Sequence, residues 1–119
     1  LDLNIMNNCL FCKIANKEIK SDIVKENKNI IAFKDVNPIS PEHILIIPKV
    51  HLSDTSMINE ENSFLFSEMA LMANEIIKDF NEQDNGCRWV INTGKNGGQS
   101  VFHIHLHLIM GRKFTWPPG

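Results

Sequence analysis

The chain has 119 residues, of which 43% are hydrophobic and 22% are charged, as is ordinary for one globular domain. A net charge of −2 gives no reason to expect a nucleic acid or an anionic membrane as a partner. No apolar run approaches the ~20 residues of a membrane span, no basic-then-apolar signal opens the sequence, and the odd count of three cysteines favours a reducing, intracellular compartment.

The first half of the chain predicts short strands. Residues 1–8 are expected to form a flexible lead-in, and a short helical turn follows that places Phe11 and Ile14 on one face. Strands are predicted over residues 23–26 and 30–35, and a loop with two prolines leads to residues 43–48. This last run is almost continuously apolar, so it predicts a central strand that is covered on both faces.

The second half predicts one long helix and two further strands. Asn59 can cap the helix, which is expected to end near Glu82. Its apolar positions recur at helical spacing and predict a core-facing stripe: Leu65, Met69, Met72, Ala73, Ile76 and Phe80. A strand follows over residues 87–92, with Cys87 as a buried thiol, and then a glycine-rich loop over residues 93–100. Short connections favour antiparallel pairing, so the order predicts an α+β domain over residues 9–119.

Three histidines stand at alternate positions: His103, His105 and His107. In a strand they would share one face, with Ile104 and Leu106 on the other. Neutral imidazole is a nucleophile, a base and a metal ligand near pH 7, and three neighbouring rings cannot all be charged cheaply. The row therefore suits transfer to phosphorus, in which one ring attacks while others stabilise phosphate oxygens or protonate the leaving group.

The loop before this row supports the same interpretation. Gly94, Gly97 and Gly98 permit close backbone approach, and exposed N–H groups in such a loop can hold an anion. Ser100 adds a hydroxyl donor. The loop lacks the Gly-Lys-Ser/Thr signature of a Walker loop and leads into a strand.

Several alternatives remain open on the residues alone. The histidines could be ligands of a catalytic zinc or have no role on an exposed sheet face. Asp35 could cap a turn or accept bonds from both hydroxyls of a ribose, and His43 could be packed or functional. The Cys9-x-x-Cys12 spacing is half of a zinc site or a redox pair. Further metal ligands would have to be histidines.

The run His-φ-His-φ-His-φ-φ over residues 103–109 resembles the signature of the histidine triad (HIT) superfamily. Gly-Gly-Gln-Ser at residues 97–100 and Trp-Pro-Pro-Gly at residues 116–119 are similar to its Hint branch, the histidine triad nucleotide-binding proteins. Further matches lie at residues 33–38, 43–49 and 90–92. The resemblance covers nearly the whole chain from Cys9 onward.

The resemblance implies a fold and an activity. The implied fold is α+β, a five-stranded antiparallel sheet with one long helix and a short N-terminal helix, whose sheets join across a homodimer. The implied reaction is hydrolysis of purine nucleoside 5′-phosphoramidates to nucleoside monophosphate and amine, through a nucleotidyl-histidine and without a catalytic cofactor. The alternative is a nucleotide-binding adaptor with incidental hydrolysis. A cytoplasmic location is expected, with the nucleus as a further one.

The resemblance also implies roles for individual residues. His105 is the implied nucleophile, oriented by the backbone of His103. His107 and His43 would contact the α-phosphate, and Ser100 would bond near the leaving group. The other implied substrate-binding residues are Leu10, Phe11, Ile14, Phe33 and Val36 around the base, Asp35 at the ribose, Asn92, Gly98 and Gln99 beside the phosphate, and Trp116 at the partner subunit's site.

The start of the chain departs from the animal Hint pattern, which lacks the cysteine pair. Many bacterial HIT proteins carry this pair, and there it is similar to half of a structural zinc site. The ligands implied by this resemblance are Cys9, Cys12, His51 and His103.

Overall fold

The structure is a computed structural model that describes residues 8–119. In chain order its elements are α1 (Leu10–Ala15), β1 (Ile23–Glu26), β2 (Ile30–Lys34), β3 (Glu42–Pro48), a 3₁₀ turn (Thr55–Met57), α2 (Phe64–Asp79), β4 (Arg88–Val90), α3 (Gly94–Gly97) and β5 (Leu106–Met110). The predicted lead-in over residues 1–8 lies outside the described residues except for Asn8. None of the described helices is long and apolar enough to cross a membrane.

The five strands form one antiparallel sheet in the order β1-β2-β3-β5-β4. The predicted α+β class and five-stranded sheet are confirmed. β3 lies at the centre, between β2 and β5, and Ile44, Leu45, Ile46 and Ile47 are all buried. A central strand covered on both faces has no solvent-facing side chains, which explains its unbroken apolar run.

Alternate residues of the central strands serve two separate cores. Ile30 and Ile44 lie in the core beneath α2, together with Met69 and Ile76. Their neighbours Ile31 and Leu45 pack instead with α1, in a smaller core that also holds Phe11, Ile14 and Phe33. The sheet is therefore covered by α2 on one face and by α1 on the other, as the two-residue period of strands requires.

The long helix matches its predicted apolar stripe but begins later. Asn59 does cap, because its side-chain oxygen accepts the backbone N–H groups of Glu61 and Asn62. The segment it caps is a turn, and α2 itself begins at Phe64 and ends at Asp79. Phe80 is partly buried against the core.

Two local predictions are wrong. Cys87 is exposed rather than buried, and the nearby Trp89 is 40% exposed, because β4 is an edge strand with a neighbour on one side only. The glycine-rich segment is not a plain loop: it contains the one-turn helix α3.

Candidate functional site

The histidine run is not one continuous strand, which corrects the prediction. Only Leu106–Met110 pairs as β5, and residues 101–105 are irregular. The alternation nevertheless persists, because Ile104 and Leu106 enter the core beneath α2. A backbone bond of 2.7 Å from Ile104 N–H to the carbonyl of Leu52 holds this irregular stretch. The histidines consequently point away from that core.

His105 is fixed by its own chain. Its Nδ1 lies 2.8 Å from the carbonyl oxygen of His103, and because a carbonyl can only accept, the hydrogen-bond network assigns the ring proton to Nδ1. The lone pair is then on Nε2. The ring packs edge-on against Phe11 at 5.1 Å and lies 4.9 Å from the ring of His107. Burial lowers the pKa of His105, partly offset by the bond to His103 and by Asp35.

His43 and His107 form a second hydrogen-bonded unit. The backbone N–H of Ile39 donates to His43 Nδ1 at 3.2 Å, so the proton of the neutral His43 ring is on Nε2. That nitrogen lies 2.9 Å from His107 Nδ1 and 3.3 Å from the Asp35 carboxylate. His107 Nδ1 therefore accepts, and its own proton is on Nε2. The backbone N–H of Ile39 thus determines the tautomer of His43, and the bond from His43 determines that of His107.

Burial keeps both of these rings neutral at neutral pH. It lowers the pKa of His107 to about 4, with His105 and His43 lowering it further and Asp35 opposing them. Burial also lowers the pKa of His43, again against the charge of Asp35. A neutral donor and a neutral nucleophile can therefore coexist here near pH 7.

A cavity of about 850 Å³ opens onto this unit. Predicted site residues that line it are Asp35, His43, Asn92, Ser100 and His107. Two charged lining residues were not predicted: Arg88 and Arg112. Register could have indicated Arg88, because it is paired with Ile109, which is paired in turn with His43 on the next strand. The two guanidinium groups flank the Phe114 ring at 5.4 and 4.2 Å from its centroid.

The predicted base-pocket residues lie elsewhere. Phe11, Ile14 and Phe33 are buried in the core under α1. Leu10 is 45% exposed and Val36 is 89% exposed. In this structure these five residues do not line the cavity at His107.

The remaining predicted site residues, Gln99, Gly98 and Trp116, have three different environments in the structure. Gln99 is buried, and its side chain bonds the backbone at Gly94, Ser53 and Val101, so it holds the segment before the histidines in place. Gly98 ends α3 with φ of +79°, a left-handed conformation that favours glycine. Trp116 is 81% exposed and does not line the described cavity.

A second cluster lies on the other side of His105. It comprises Cys9, Cys12, His51 and His103, whose ligand atoms all lie within 4.8 Å of one another. The distance between the two histidine Nδ1 atoms is 3.3 Å, and three sulfur–nitrogen distances are 3.2, 3.4 and 3.5 Å. Around tetrahedral zinc, the edges between two nitrogen ligands and between a sulfur and a nitrogen ligand are roughly 3.3–3.6 Å, so these donors fit that ion.

The surroundings of the cluster also fit a metal. His103 Nε2–H donates to the carbonyl of Pro48 at 2.8 Å, which directs its Nδ1 lone pair at the other donors, as in many metal-bound histidines. All four side chains are buried. Burial, helped by Cys9 and Glu18, raises the pKa of the Cys12 thiol to about 12. A metal would therefore have to displace a proton from this sulfur.

A family model described as the HIT domain matches residues 16–114. The chain belongs to the HIT domain family. Protein HitA of Neisseria gonorrhoeae is 46% identical over 104 residues, which cover 87% of this chain and 96% of HitA.

Two further proteins are similar to this chain over most of their length. A 14 kDa zinc-binding protein of Zea mays is 44% identical over 112 residues, covering 92% of this chain and 87% of that protein. The crystal structure of a HIT family hydrolase from Legionella pneumophila Philadelphia 1 superposes with a TM-score of 0.92 at 46% identity, covering 94% of this chain and all of that one. The HIT fold is thus shared along almost the whole chain.

Proposed function

We propose that this HIT protein hydrolyses purine nucleoside 5′-phosphoramidates of the AMP–amine type at the P–N bond. The products are the nucleoside monophosphate and the free amine. The similar Legionella protein is named a hydrolase, which supports the reaction class. The finer assignment to the Hint branch depends on the Trp-Pro-Pro-Gly end and the Gly-Gly-Gln-Ser lead.

The bond from His105 Nδ1–H to the carbonyl of His103 carries the proposal. It leaves the Nε2 lone pair as the nucleophile without any side-chain base, because the ring needs no deprotonation to attack. His107 presents an Nε2–H donor in the adjoining cavity, where Ser100 and Asn92 add polar groups. A phosphate placed there would be attacked by one ring and bound by another. Asp35 at the cavity wall would accept the ribose hydroxyls.

Replacement of the nucleophile tests the proposal. We expect His105→Ala to lower kcat on adenosine 5′-phosphoramidate by about 10⁴-fold or more, because the two histidines that line the cavity, His43 and His107, carry their protons on Nε2 and offer no free nitrogen there. Rapid quenching of the wild type at alkaline pH should capture an adenylyl group on the peptide that contains His105. Activity retained by His105→Ala, or an adduct on another residue, would contradict the mechanism.

The alternative is a nucleotide-binding adaptor with incidental hydrolysis. The same cavity would bind nucleotide in either case, so the turnover number separates the two. A wild-type turnover no faster than about 10⁻² s⁻¹, far below typical enzymes, would favour the adaptor.

We also propose that the cluster of Cys9, Cys12, His51 and His103 holds a structural zinc ion. The ion would fix α1 against the segment before β5, and the chemistry it supplies is cross-linking of the fold. The zinc-binding name of the maize relative supports this assignment. One zinc per chain in the purified protein, and none in Cys12→Ser, is the expected result.

We further propose that the protein forms a homodimer. β4 is an edge strand, and apolar side chains are exposed on it and on α2: Trp89 and Leu71 are 40% and 62% exposed. A second copy could extend the sheet across this edge and place Trp116 at its partner's cavity. A mass of two chains by light scattering is expected, and a single-chain mass would contradict it.

A further inference from the structure

The cavity at His107 has side chains of opposite charge at its two ends. The backbone N–H of Asp35 donates to the carbonyl of His43 at 2.9 Å. His43 is paired with Ile109, which is paired in turn with Arg88. These four residues therefore form one row across the sheet, from the end of β2 to β4. Because neighbouring strands lie about 4.8 Å apart, the backbones at the two ends of the row are separated by roughly 14 Å.

A second arginine lies at the basic end of this row. Arg112 follows β5 and lines the same cavity, and the Cζ atoms of Arg88 and Arg112 lie 5.4 and 4.2 Å from the centroid of the Phe114 ring. Arg88 Nη2 donates to the carbonyl of Thr115 at 2.8 Å, and Arg112 Nε donates to the carbonyl of Ile39 at 3.1 Å. An aromatic ring and backbone carbonyls therefore hold both guanidinium groups in place.

These contacts leave both arginines without a carboxylate partner. None of the ion pairs within the described part of the chain includes Arg88 or Arg112. A guanidinium group has five N–H donors, of which backbone carbonyls of the described residues accept one from Arg88 and two from Arg112. The remaining donors suit an anion with two or more oxygens, which an arginine binds through two parallel hydrogen bonds.

The order of residues along β5 indicates which half of a substrate would reach the arginines. His105 precedes His107 on the chain, and Ile109, the strand partner of Arg88, follows it. In an in-line displacement the leaving nitrogen lies on the opposite side of phosphorus from the attacking Nε2 of His105. With the ribose at the acidic end of the row and the phosphate at His107, the leaving amine consequently extends toward the two arginines.

We propose that Arg88 and Arg112 form a subsite for an anionic group, a carboxylate or a phosphate, on the leaving amine of the substrate. This inference rests on the proposed phosphoramidase function and narrows its substrate class. Amines with a negative charge at the end remote from the P–N bond are preferred to neutral and cationic amines. The two arginines determine specificity and take no part in bond making or breaking.

Pairs of substrates that differ in charge test the subsite. Adenosine 5′-phosphoramidates of glycine, β-alanine and γ-aminobutyrate are compared with those of the corresponding amino amides, and that of phosphoethanolamine is compared with that of ethanolamine. We expect kcat/KM for at least one acid to exceed that for its neutral partner by about tenfold or more. A larger preference in the carboxylate pairs identifies an amino acid as the leaving amine, and a larger preference in the phosphate pair identifies a phosphorylated amine.

Replacement of the arginines separates recognition from structural support. We expect Arg88→Gln and Arg112→Gln each to lower the acid-to-neutral ratio of kcat/KM, and the double variant to abolish the preference. Arg88→Lys, which keeps the charge but loses the planar fork, should retain part of the ratio. A structural role alone would lower kcat/KM for both substrates of a pair and leave the ratio unchanged. Lys78→Gln, which removes a positive charge from an exposed position on α2, is the control and should keep the wild-type ratio.

Two results would overturn the inference: equal kcat/KM within every pair for the wild type, or a preference that survives in the double variant. If the wild type hydrolyses none of these compounds, the proposed function fails instead, and calorimetric binding of the same pairs tests the subsite alone. Tighter binding of an acid that is lost in the double variant would support the subsite, and equal Kd values within every pair would overturn it.

Discussion

Two clusters that share one short stretch of chain are built in opposite ways. The closed cluster, Cys9, Cys12, His51 and His103, consists of four buried side chains, and its histidine from the triad is held by the Pro48 carbonyl. The open cluster, Asp35, His43 and His107, borders the cavity of about 850 Å³. His105 lies between them.

The difference shows that an alternating motif places side chains without determining their chemistry. His103 and His107 are four residues apart, and both point away from the core beneath α2. The segment from Cys9 to Ala15 covers the first, whereas the second contacts His43 on β3 and lines the cavity. The neighbouring elements therefore decide which ring serves a metal and which serves a substrate.

Truncation of one histidine from each cluster should give the largest contrast. We expect His103→Ala to lower stability by at least about 3 kcal/mol, because it empties a fully buried site and removes a metal ligand. His107→Ala should change stability by less than about 1 kcal/mol and still lower phosphoramidate turnover strongly. Thermal melting and hydrolysis assays on both variants check this.

The opposite outcome for either variant would contradict this division of roles between the two clusters. A His103→Ala protein that melts with the wild type would mean that the closed cluster does not hold the fold together. A His107→Ala protein with full turnover would mean that the open cluster is not the site of reaction.

Removal of the metal should lower the stability of the protein and leave its turnover nearly unchanged. We expect a strong chelator to lower the melting temperature, since a bound ion stabilises the folded state by mass action. The kcat of protein that remains folded should stay within about twofold, because none of the four ligands borders the cavity at His107. Turnover that falls in step with zinc content would instead favour the zinc hydrolase.

We expect acid to lower the free energy of unfolding through protonation of His107. Its pKa is about 4 in the folded protein against 6.5 as the ordinary value, so the unfolded chain binds more protons between these values. Stability is then fully present above pH 6.5 and is lost as the pH falls toward 4. Between pH 7 and pH 5 the loss is on the order of 1–2 kcal/mol. The fall in unfolding free energy should be smaller in His107→Asn than in the wild type, measured on metal-free samples of both.

The pattern of apolar residues predicts the fold because it follows burial. Ile44 to Ile47 form the unbroken apolar run of a strand covered on both faces, the stripe from Leu65 to Ile76 has the periodicity of a helix, and both are buried as predicted. The start of α2 and the exposure of Cys87 escape such reasoning, because they depend on a capped turn and on which strand lies at the sheet edge.

The candidate site likewise contains features that the sequence predicts and features that it does not. The histidine motif and the cysteine pair indicate the chemistry of the two clusters from the sequence. Arg88 and Arg112 could not be found from it, since an arginine looks like a solvent-facing residue until the fold places it at the cavity that His43 and His107 line. The Asp35–His43 contact likewise depends on how the proline loop folds back onto β3.

The smallest effect is expected at the third cysteine. Cys87 is exposed and lies outside the closed cluster, so Cys87→Ser should leave zinc content unchanged and stability within about 0.5 kcal/mol. Cys12→Ser provides the matched comparison, because the same atom is replaced at a buried ligand position.

Thiol counting makes the test independent of stability. In the zinc-loaded wild type one thiol of three should react rapidly with a disulfide reagent, and Cys87→Ser should show none until the metal is removed. Rapid reaction of more than one thiol in the loaded protein would show that Cys9 and Cys12 are not both held by the ion.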